Sequence, residues 1–305
     1  MKNSILLKKT KILIKNPQII LIRTLYFLSP LLSDKMYLKL LFPLKVGYRL
    51  NLENPQTFNE KLQWLKLNYR NPDLPMMVDK FEVKKYVSSL IGEEYVIPTL
   101  GIWNKFDDIN FDSLPQKFVL KTTHDQGGVV ICKDRNKFDL VSAKKKIEKH
   151  LKKNLFVLSR EWPYKNVKPR IIAEEYMEDV STGELKDYKF FCFNGEPKLL
   201  YVASDRQNKA EGIKFDYFDL DFNKLNITQA YAHSTRTIDK PKSFDKMIKF
   251  SGILSKNLPH VRVDFYEING QLFFGELTFF HHGGFVPFYP EKWDYTLGSY
   301  LTLPE

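Results

Sequence analysis

Apolar positions change their spacing partway along the chain. As far as Leu90 they recur at helical intervals, and the Asn-Pro pairs at 54–55 and 71–72 act as punctuation between segments. Thr57-Phe-Asn-Glu60 has the form of a capping box, in which Thr57 and Glu60 satisfy the first free amides of a helix running through Trp64 and Leu67. From Tyr95 onward β-rich segments take over: Lys117 to Thr122, Val129 to Cys132, Arg170 to Met177, Tyr188 to Phe193, Lys198 to Ala203, Val261 to Ile268 and Gln271 to Thr278. Lys144 to Leu151 and Phe244 to Leu254 read as helices between them. The order predicts an α+β body with mixed sheets behind a helical cap. Neither GxGxxG nor GxxxxGK[ST] occurs, which argues against Rossmann and P-loop architectures.

Within the strand Val261-Arg-Val-Asp-Phe-Tyr266, alternation puts Arg262, Asp264 and Tyr266 on one face and Val261, Val263 and Phe265 on the other. The next strand, Leu272 to Thr278, groups Leu272, Phe274, Glu276 and Thr278. A two-residue Asn269-Gly270 turn would pair position 264 with 275 and leave Asp264 and Glu276 on opposite faces. An odd-numbered loop is therefore expected, because two carboxylates on one face are what a hard cation such as Mg²⁺ requires. A solvated hairpin with its charges outward is the plain alternative.

Composition places these elements in a globular protein. A chain of 305 residues, 43% hydrophobic and 14% aromatic, has enough apolar material for two or three lobes. Cys132 and Cys192 lack CxxC spacing and read as buried free thiols in a reduced compartment. The net charge of +11 suggests nucleic acid until its position is considered. Residues 1–50 hold ten basic side chains against the single acid Asp34, which accounts for +9 of the total. Charge confined to a leading segment does not describe a nucleic-acid groove, and no nucleic-acid partner is expected. The longest uncharged piece of that segment, Thr24 to Ser33, contains Pro30 and is about half the ~20 residues that a membrane span needs. An interfacial helix pair on anionic lipid and a basic hairpin packed on the body both remain open. No signal peptide is evident, so a cytoplasmic location is expected, at the inner face of the membrane if the segment meets lipid.

Lys117-Phe-Val-Leu-Lys121 ends a strand on a lysine and leads into Thr122-Thr-His-Asp-Gln-Gly-Gly128, where Gly127 and Gly128 allow backbone amides to approach an anion. Taken alone this is also the pattern of an ordinary hairpin. Together with Thr57-Phe-Asn-Glu-Lys-Leu, Val78-Asp-Lys80, Ile172-Ala-Glu-Glu-Tyr-Met177, Asp187-Tyr-Lys-Phe, Val261 to Tyr266 and Phe274-Gly-Glu-Leu-Thr-Phe, however, it resembles the ATP-grasp superfamily, and specifically its teichuronopeptide-synthesis, TupA-like branch. The resemblance implies an ATP-grasp fold of two α/β lobes with mixed and antiparallel sheets gripping ATP. The expected boundaries are 1–50 for the basic helical extension, 51–115 for the helical cap and N-terminal lobe, 116–190 for the small lobe with the glycine loop, and 191–305 for the C-terminal lobe with the metal site.

Carried over by residue, the resemblance implies that Lys80 and Lys121 contact ATP phosphates beneath the Gly127-Gly128 loop. It also places Glu174, Glu175 and Met177 on the strand that meets adenine, with Asp187 and Lys189 near the ribose. Asp264, Glu276 and Thr278 become the metal ligands. Thr278 stands where the superfamily commonly has asparagine, a weaker donor for a second Mg²⁺. Arg262, with Lys121, would stabilise the transferred phosphoryl group. His281, His282, Gly283 and Gly284 follow as a loop placed to meet substrate, and without a third ligand the two histidines do not read as a transition-metal site. The implied activity is a carboxylate-amine ligase using ATP and Mg²⁺, with a uronic acid or amino acid of a surface polysaccharide as substrate. A sugar or lipid-linked oligosaccharide is the implied partner. An ATP-dependent kinase is one alternative. A glycosyltransferase is another, resting on Asp219-Leu-Asp221.

Overall fold

The change of spacing near residue 95 is where the sheets begin. The structure, a computed structural model, describes residues 17–180, 184–205 and 212–305. Helices α1 (Pro17–Leu28) and α2 (Asp34–Val46) form a leading hairpin. Ser33 caps α2 by accepting from the Met36 amide at 3.3 Å, and Gly47, at φ +99°, ends it in the left-handed conformation. Helix α3 (Phe58–Asn68) starts at the expected capping box. Thr57 Oγ1 accepts from the Glu60 amide at 3.2 Å and Glu60 Oε2 from the Thr57 amide at 3.1 Å. Helices α4 (Leu74–Val78) and α5 (Glu82–Ile91) complete the cap.

Two antiparallel sheets follow. Strands β1 (Thr99–Trp103), β2 (Phe118–Thr122), β3 (Val129–Cys132) and β4 (Ile171–Glu175) form the smaller one in the order β1-β4-β2-β3. Helices α6 (Leu140–Leu151) and α7 (Leu155–Ser159) lie between β3 and β4 in sequence. Phe118, Leu120, Ile147, Ile171 and Ala173 make the core of this lobe. Strands β5 (Asp187–Phe193), β6 (Glu196–Ser204), β7 (Lys214–Phe218), β8 (Lys224–Leu225), β9 (His260–Ile268) and β10 (Gln271–Thr278) form the larger sheet, ordered β10-β9-β5-β6-β7-β8. Helix α8 (Phe244–Ser255) contacts β5, β6 and β9 of this sheet, and α9 (Lys292–Tyr300) packs on α3.

The seven β-rich segments all become strands in the expected α+β body, with antiparallel ladders between the named strands and a parallel bridge at Val96–Phe274. The smaller sheet takes β1 from upstream of residue 116, and the larger already begins at Asp187. The sheets therefore change over between Glu175 and Asp187, upstream of position 190.

The β9–β10 turn corrects another expectation. Ile268 pairs with Gln271, so the loop is the two residues Asn269 and Gly270, at φ +51° and +80°. That register holds as far as Phe265 opposite Phe274, after which a bulge at Gly275 moves the pairing by one and sets Asp264 opposite Glu276. Phe274 stays on the core face with Phe265, while Glu276 and Thr278 change to the face of Asp264 and Arg262. The acids share a face because a residue is inserted in the strand, not because the loop is odd.

The leading hairpin packs on the body through its inner face. Arg160 lies 4.2 Å from the Tyr37 ring centroid, pairs with Asp34 at 2.9 Å and donates to the Ser29 carbonyl at 2.5 Å. Tyr37 donates to the Leu158 carbonyl at 2.8 Å. Among the described residues no helix is long and apolar enough to cross a membrane. Both cysteines are free and buried, as expected.

Candidate active site

Charged side chains gather on one face of the larger sheet, within electrostatic reach of Lys80 and Lys121. Lys189, Asp264 and Glu276 occupy consecutive positions across β5, β9 and β10, and Phe191, Arg262 and Thr278 form the row beside them. Arg262 donates from Nε to Asp264 Oδ1 and from Nη2 to Oδ2, each at 2.7 Å. Nη2 also reaches Glu276 Oε1 at 3.2 Å and Thr278 Oγ1 at 3.0 Å. Lys189 pairs with Asp264 and lies 3.5 Å from Asp187. Burial works against the lysine charge, but Asp187 and Asp264 raise Lys189 above its ordinary range. Burial pushes Asp264 upward, against Arg262 and Lys189. For Glu276 burial is outweighed, and Lys189, Arg262 and Lys80 hold it below the usual carboxylate range.

Three lysines stand by the smaller sheet, Lys121 on it and Lys80 and Lys84 from the cap at α5, whose apolar face packs in the core of the larger sheet. Lys121, on β2, and Lys84, on α5, converge on Glu174 of β4, with Lys84 at 2.5 Å. Burial alone would raise Glu174, but the two ammonium groups bring it below its ordinary value. Lys80 donates to the Asp125 carbonyl at 2.5 Å and, through its own amide, to the Thr123 carbonyl at 3.0 Å. Burial lowers Lys80, opposed by Glu276 and Asp125. Its neighbour Asp79 is held by Arg170 at 2.9 Å and accepts from the amides of Phe81 and Glu82, which fixes the start of α5. Lys80 thus has a carbonyl as its contact, whereas Lys84, Lys121, Lys189 and Arg262 are paired with carboxylates.

The glycine loop is tied down from below. Asp125 is buried, accepts from Thr122 and meets His150 of α6. Gly127 is exposed and adopts φ +85°. Gly128 is buried, and a Cβ there would lie 1.9 Å from Thr122 Oγ1 and 2.7 Å from Asp125 Oδ1. The absence of a side chain at 128 therefore lets Thr122, Asp125 and His150 close beneath the loop.

Several expected contacts are placed differently. Both carboxylate oxygens of Glu174 face lysines, so its side chain acts as a counter-ion within the lobe, not as a free acceptor for adenine. Glu175 is exposed, and its amide is committed to the Pro98 carbonyl at 3.2 Å. Met177 packs with Ile97, Ile268 and Phe273 and adds an apolar wall. His281 is buried behind Arg262, with Nδ1 2.9 Å from Arg262 Nη1 and Nε2 2.6 Å from Gln229 Oε1. Arg262 can only donate, so Nδ1 accepts and His281 carries its proton on Nε2. Burial, His282 and Arg262 hold His281 neutral, well below the ordinary histidine value. The Gly283 and Gly284 carbonyls accept from Gln63 at 3.1 and 2.8 Å, and Gly283 also accepts from the buried Lys66 at 2.6 Å. The expected substrate loop is thus turned inward at His281, Gly283 and Gly284, and leaves His282 as its part-exposed member.

Sequence reasoning missed Lys84, Asp125, His150 and Gln229. Lys84 stands four residues after Lys80, a spacing that could have drawn attention. His150 and Gln229 are joined to the site only by tertiary contact. Asp219 does not suit a metal-binding DxD: it accepts from the amides of Asp221 and Asn223 at 3.0 and 2.8 Å and closes the β7–β8 turn.

The donor set at β9 and β10 fits a hard cation in kind, since two carboxylates face each other across the bulge. Glu276 is the accessible one, with 42% of its side chain exposed, whereas both oxygens of Asp264 already accept from Arg262 and Lys189.

No curated protein matches the chain. Among solved structures it is similar to the D-alanine–D-alanine ligase of Bacillus anthracis complexed with ATP, at 19% identity over 67% of this chain and 54% of that one, with a TM-score of 0.38. The Helicobacter pylori D-alanine–D-alanine ligase matches at 14% identity over 80% and 69%, with a TM-score of 0.40. The N5-carboxyaminoimidazole synthase of Aspergillus clavatus, in complex with ADP, matches at 11% over 68% and 46%, with a TM-score of 0.38. The chain spans about half the length of the Bacillus anthracis ligase. Likeness at this level carries no argument about the reaction. A family model does match, over residues 60–302 and under the description TupA-like ATP-grasp. With that match covering most of its length, the chain belongs to the TupA-like ATP-grasp family.

Proposed function

We propose that the protein is an ATP-dependent carboxylate-amine ligase whose reaction takes place between the two sheets. The observation that carries this reading is that Lys80 and Lys121 lie within electrostatic reach of Glu276 in the Lys189–Asp264–Glu276 row, with Lys84 joining Lys121 on Glu174. Lysines from separate elements can neutralise separate phosphates, and Lys80, without a carboxylate partner of its own, is the one poised to take an incoming anion. In the proposed reaction a substrate carboxylate oxygen takes the γ-phosphoryl group of ATP, releasing ADP. An amine then attacks the acyl phosphate, forming the C–N bond and expelling phosphate, while its proton passes to a base or to solvent.

In this reading Asp264, Glu276 and Thr278 would hold Mg²⁺, which supplies Lewis-acid neutralisation of phosphate oxygens. Arg262, oriented by Asp264 from one side and His281 from the other, stabilises charge on the transferred group. The Gly127-Gly128 loop covers the phosphates and Met177 offers an apolar surface for adenine, with Asp187 and Lys189 beside the ribose. Of the expected substrate loop, His282 is the residue that can face substrate. A uronic acid or amino acid of a surface polysaccharide is the proposed carboxylate substrate, a reading supported by the resemblance to teichuronopeptide-synthesis proteins.

Incubating the purified protein with ATP, Mg²⁺ and pooled amino acids and uronic acids, and following ADP release and product mass, tests the proposal. An amide that forms only when both an amine and a carboxylate are present is the expected result. A phosphorylated product from one partner alone would make the enzyme a kinase, and consumption of nucleotide sugars with ATP untouched would make it a glycosyltransferase.

A further inference from the structure

The outward surface of the leading hairpin is apolar where a surface helix is ordinarily polar. On α1 the inward positions Ile22, Leu25 and Tyr26 pack against the hairpin core. The outward positions are Ile20, Leu21, Phe27 and Leu28, with Leu31 at the bend. Phe27 is 84% exposed and Leu31 82%. Helix α2 continues the surface with Met36 and Leu40 exposed beside Lys35 and Lys39. Exposed apolar side chains taken singly are unremarkable, but a run of this kind along adjoining helices marks a surface that is covered in use.

Charge decides what covers it. Arg23, Lys35 and Lys39 stand exposed on the hairpin. The acid of this region, Asp34, is paired with the buried Arg160 and does not offset them. The sixteen residues before the hairpin add five lysines and no acid. Apolar side chains flanked by unopposed cations complement a surface that is apolar inside and anionic at its edge. Arg160 and the Tyr37–Leu158 hydrogen bond fix the hairpin to the body, so this face is held in a constant orientation relative to the catalytic lobes.

We infer that the outer face of α1 and α2, from Ile20 to Leu40, docks the enzyme on an anionic lipid bilayer, with Phe27 and Leu31 entering the acyl boundary and Arg23, Lys35 and Lys39 at the headgroups. The inference is independent of the reaction assigned to the cleft.

Flotation of the full chain with phosphatidylcholine vesicles, with and without about one third phosphatidylglycerol, tests it. The protein is expected to float with the anionic vesicles and to be released by raised salt. Phe27→Ser with Leu31→Ser should reduce partitioning at least about tenfold. Because both side chains are exposed, the melting temperature should not move. Lys35→Glu with Lys39→Glu, which leaves the apolar face intact, should remove preference for anionic over neutral vesicles by about fivefold per charge. Failure of the parent protein to float overturns the inference, and so does equal flotation of parent and serine variants. A concentration-dependent dimer that the serine substitutions dissociate, without vesicle binding, would assign the face to a second copy of the chain instead.

Discussion

Asp264 and Glu276 form one facing pair, yet they will respond differently to substitution. Asp264 is buried and compensates Arg262 and Lys189, so Asp264→Asn leaves two buried cations short of a partner and should cost about 3 kcal/mol of stability as well as turnover. Glu276 lies at the rim, and Glu276→Gln should abolish ADP release with little change in melting temperature. An active Glu276→Gln enzyme would contradict the metal assignment. The two acids and the alternation of β9 were legible in the sequence, because a charged residue between Val263 and Phe265 has one face left to occupy. Positioning residues such as His281 and Gln229 were not, since their importance lies in which atom of Arg262 they touch, or which ring they orient. In the sequence His281 reads as a substrate contact, whereas its ring is buried behind the guanidinium.

Strands and the capping box were readable because each is written in local chemistry, and Thr57→Ala should cost about 1 kcal/mol through the lost cap, measurable by thermal melting. The bulge was harder to see. Asn269-Gly270 carried the signal of a two-residue turn, but with the strand pattern taken as unbroken an odd-numbered loop was expected in its place, and Gly275 was the missed sign of an extra residue. A Cβ at 275 would stand 3.0 Å from the Asp264 carbonyl oxygen and 3.1 Å from Tyr266 Cε2. Gly275→Val should therefore disturb the pairing of the acids and depress turnover more than a comparable change at the hairpin tip, such as Asn269→Asp. Equal effects at the two positions would show that the bulge does not set the register. In the glycine loop, Gly128→Ala sets its new methyl against Thr122 and Asp125 and should raise KM for ATP, checked by initial rates at varied ATP.

Across the whole molecule, buried neutral histidines make the fold sensitive to acid. Burial lowers His260 to about 3, and burial together with His282 and Arg262 takes His281 well below its ordinary value. The unfolded chain binds a proton at each below about pH 6.5, whereas the folded chain does not. The stability they permit is complete above that pH and falls by about 1.4 kcal/mol per pH unit for each below it. Melting temperatures recorded between about pH 7.5 and about pH 5 should therefore decline, and a flat profile would contradict neutral burial. How the lobes meet was the least legible level, because Lys84, Lys121 and Glu174 come from three separate elements. Their pairing has a consequence for ligand entry. Four of the five cleft cations already carry carboxylates as internal counter-ions, so an arriving triphosphate exchanges partners with the protein more than it displaces salt from solution. In the proposed reading, raising ionic strength should weaken ATP binding only slightly, and the main barrier to entry becomes the separation of Lys121 and Lys84 from Glu174.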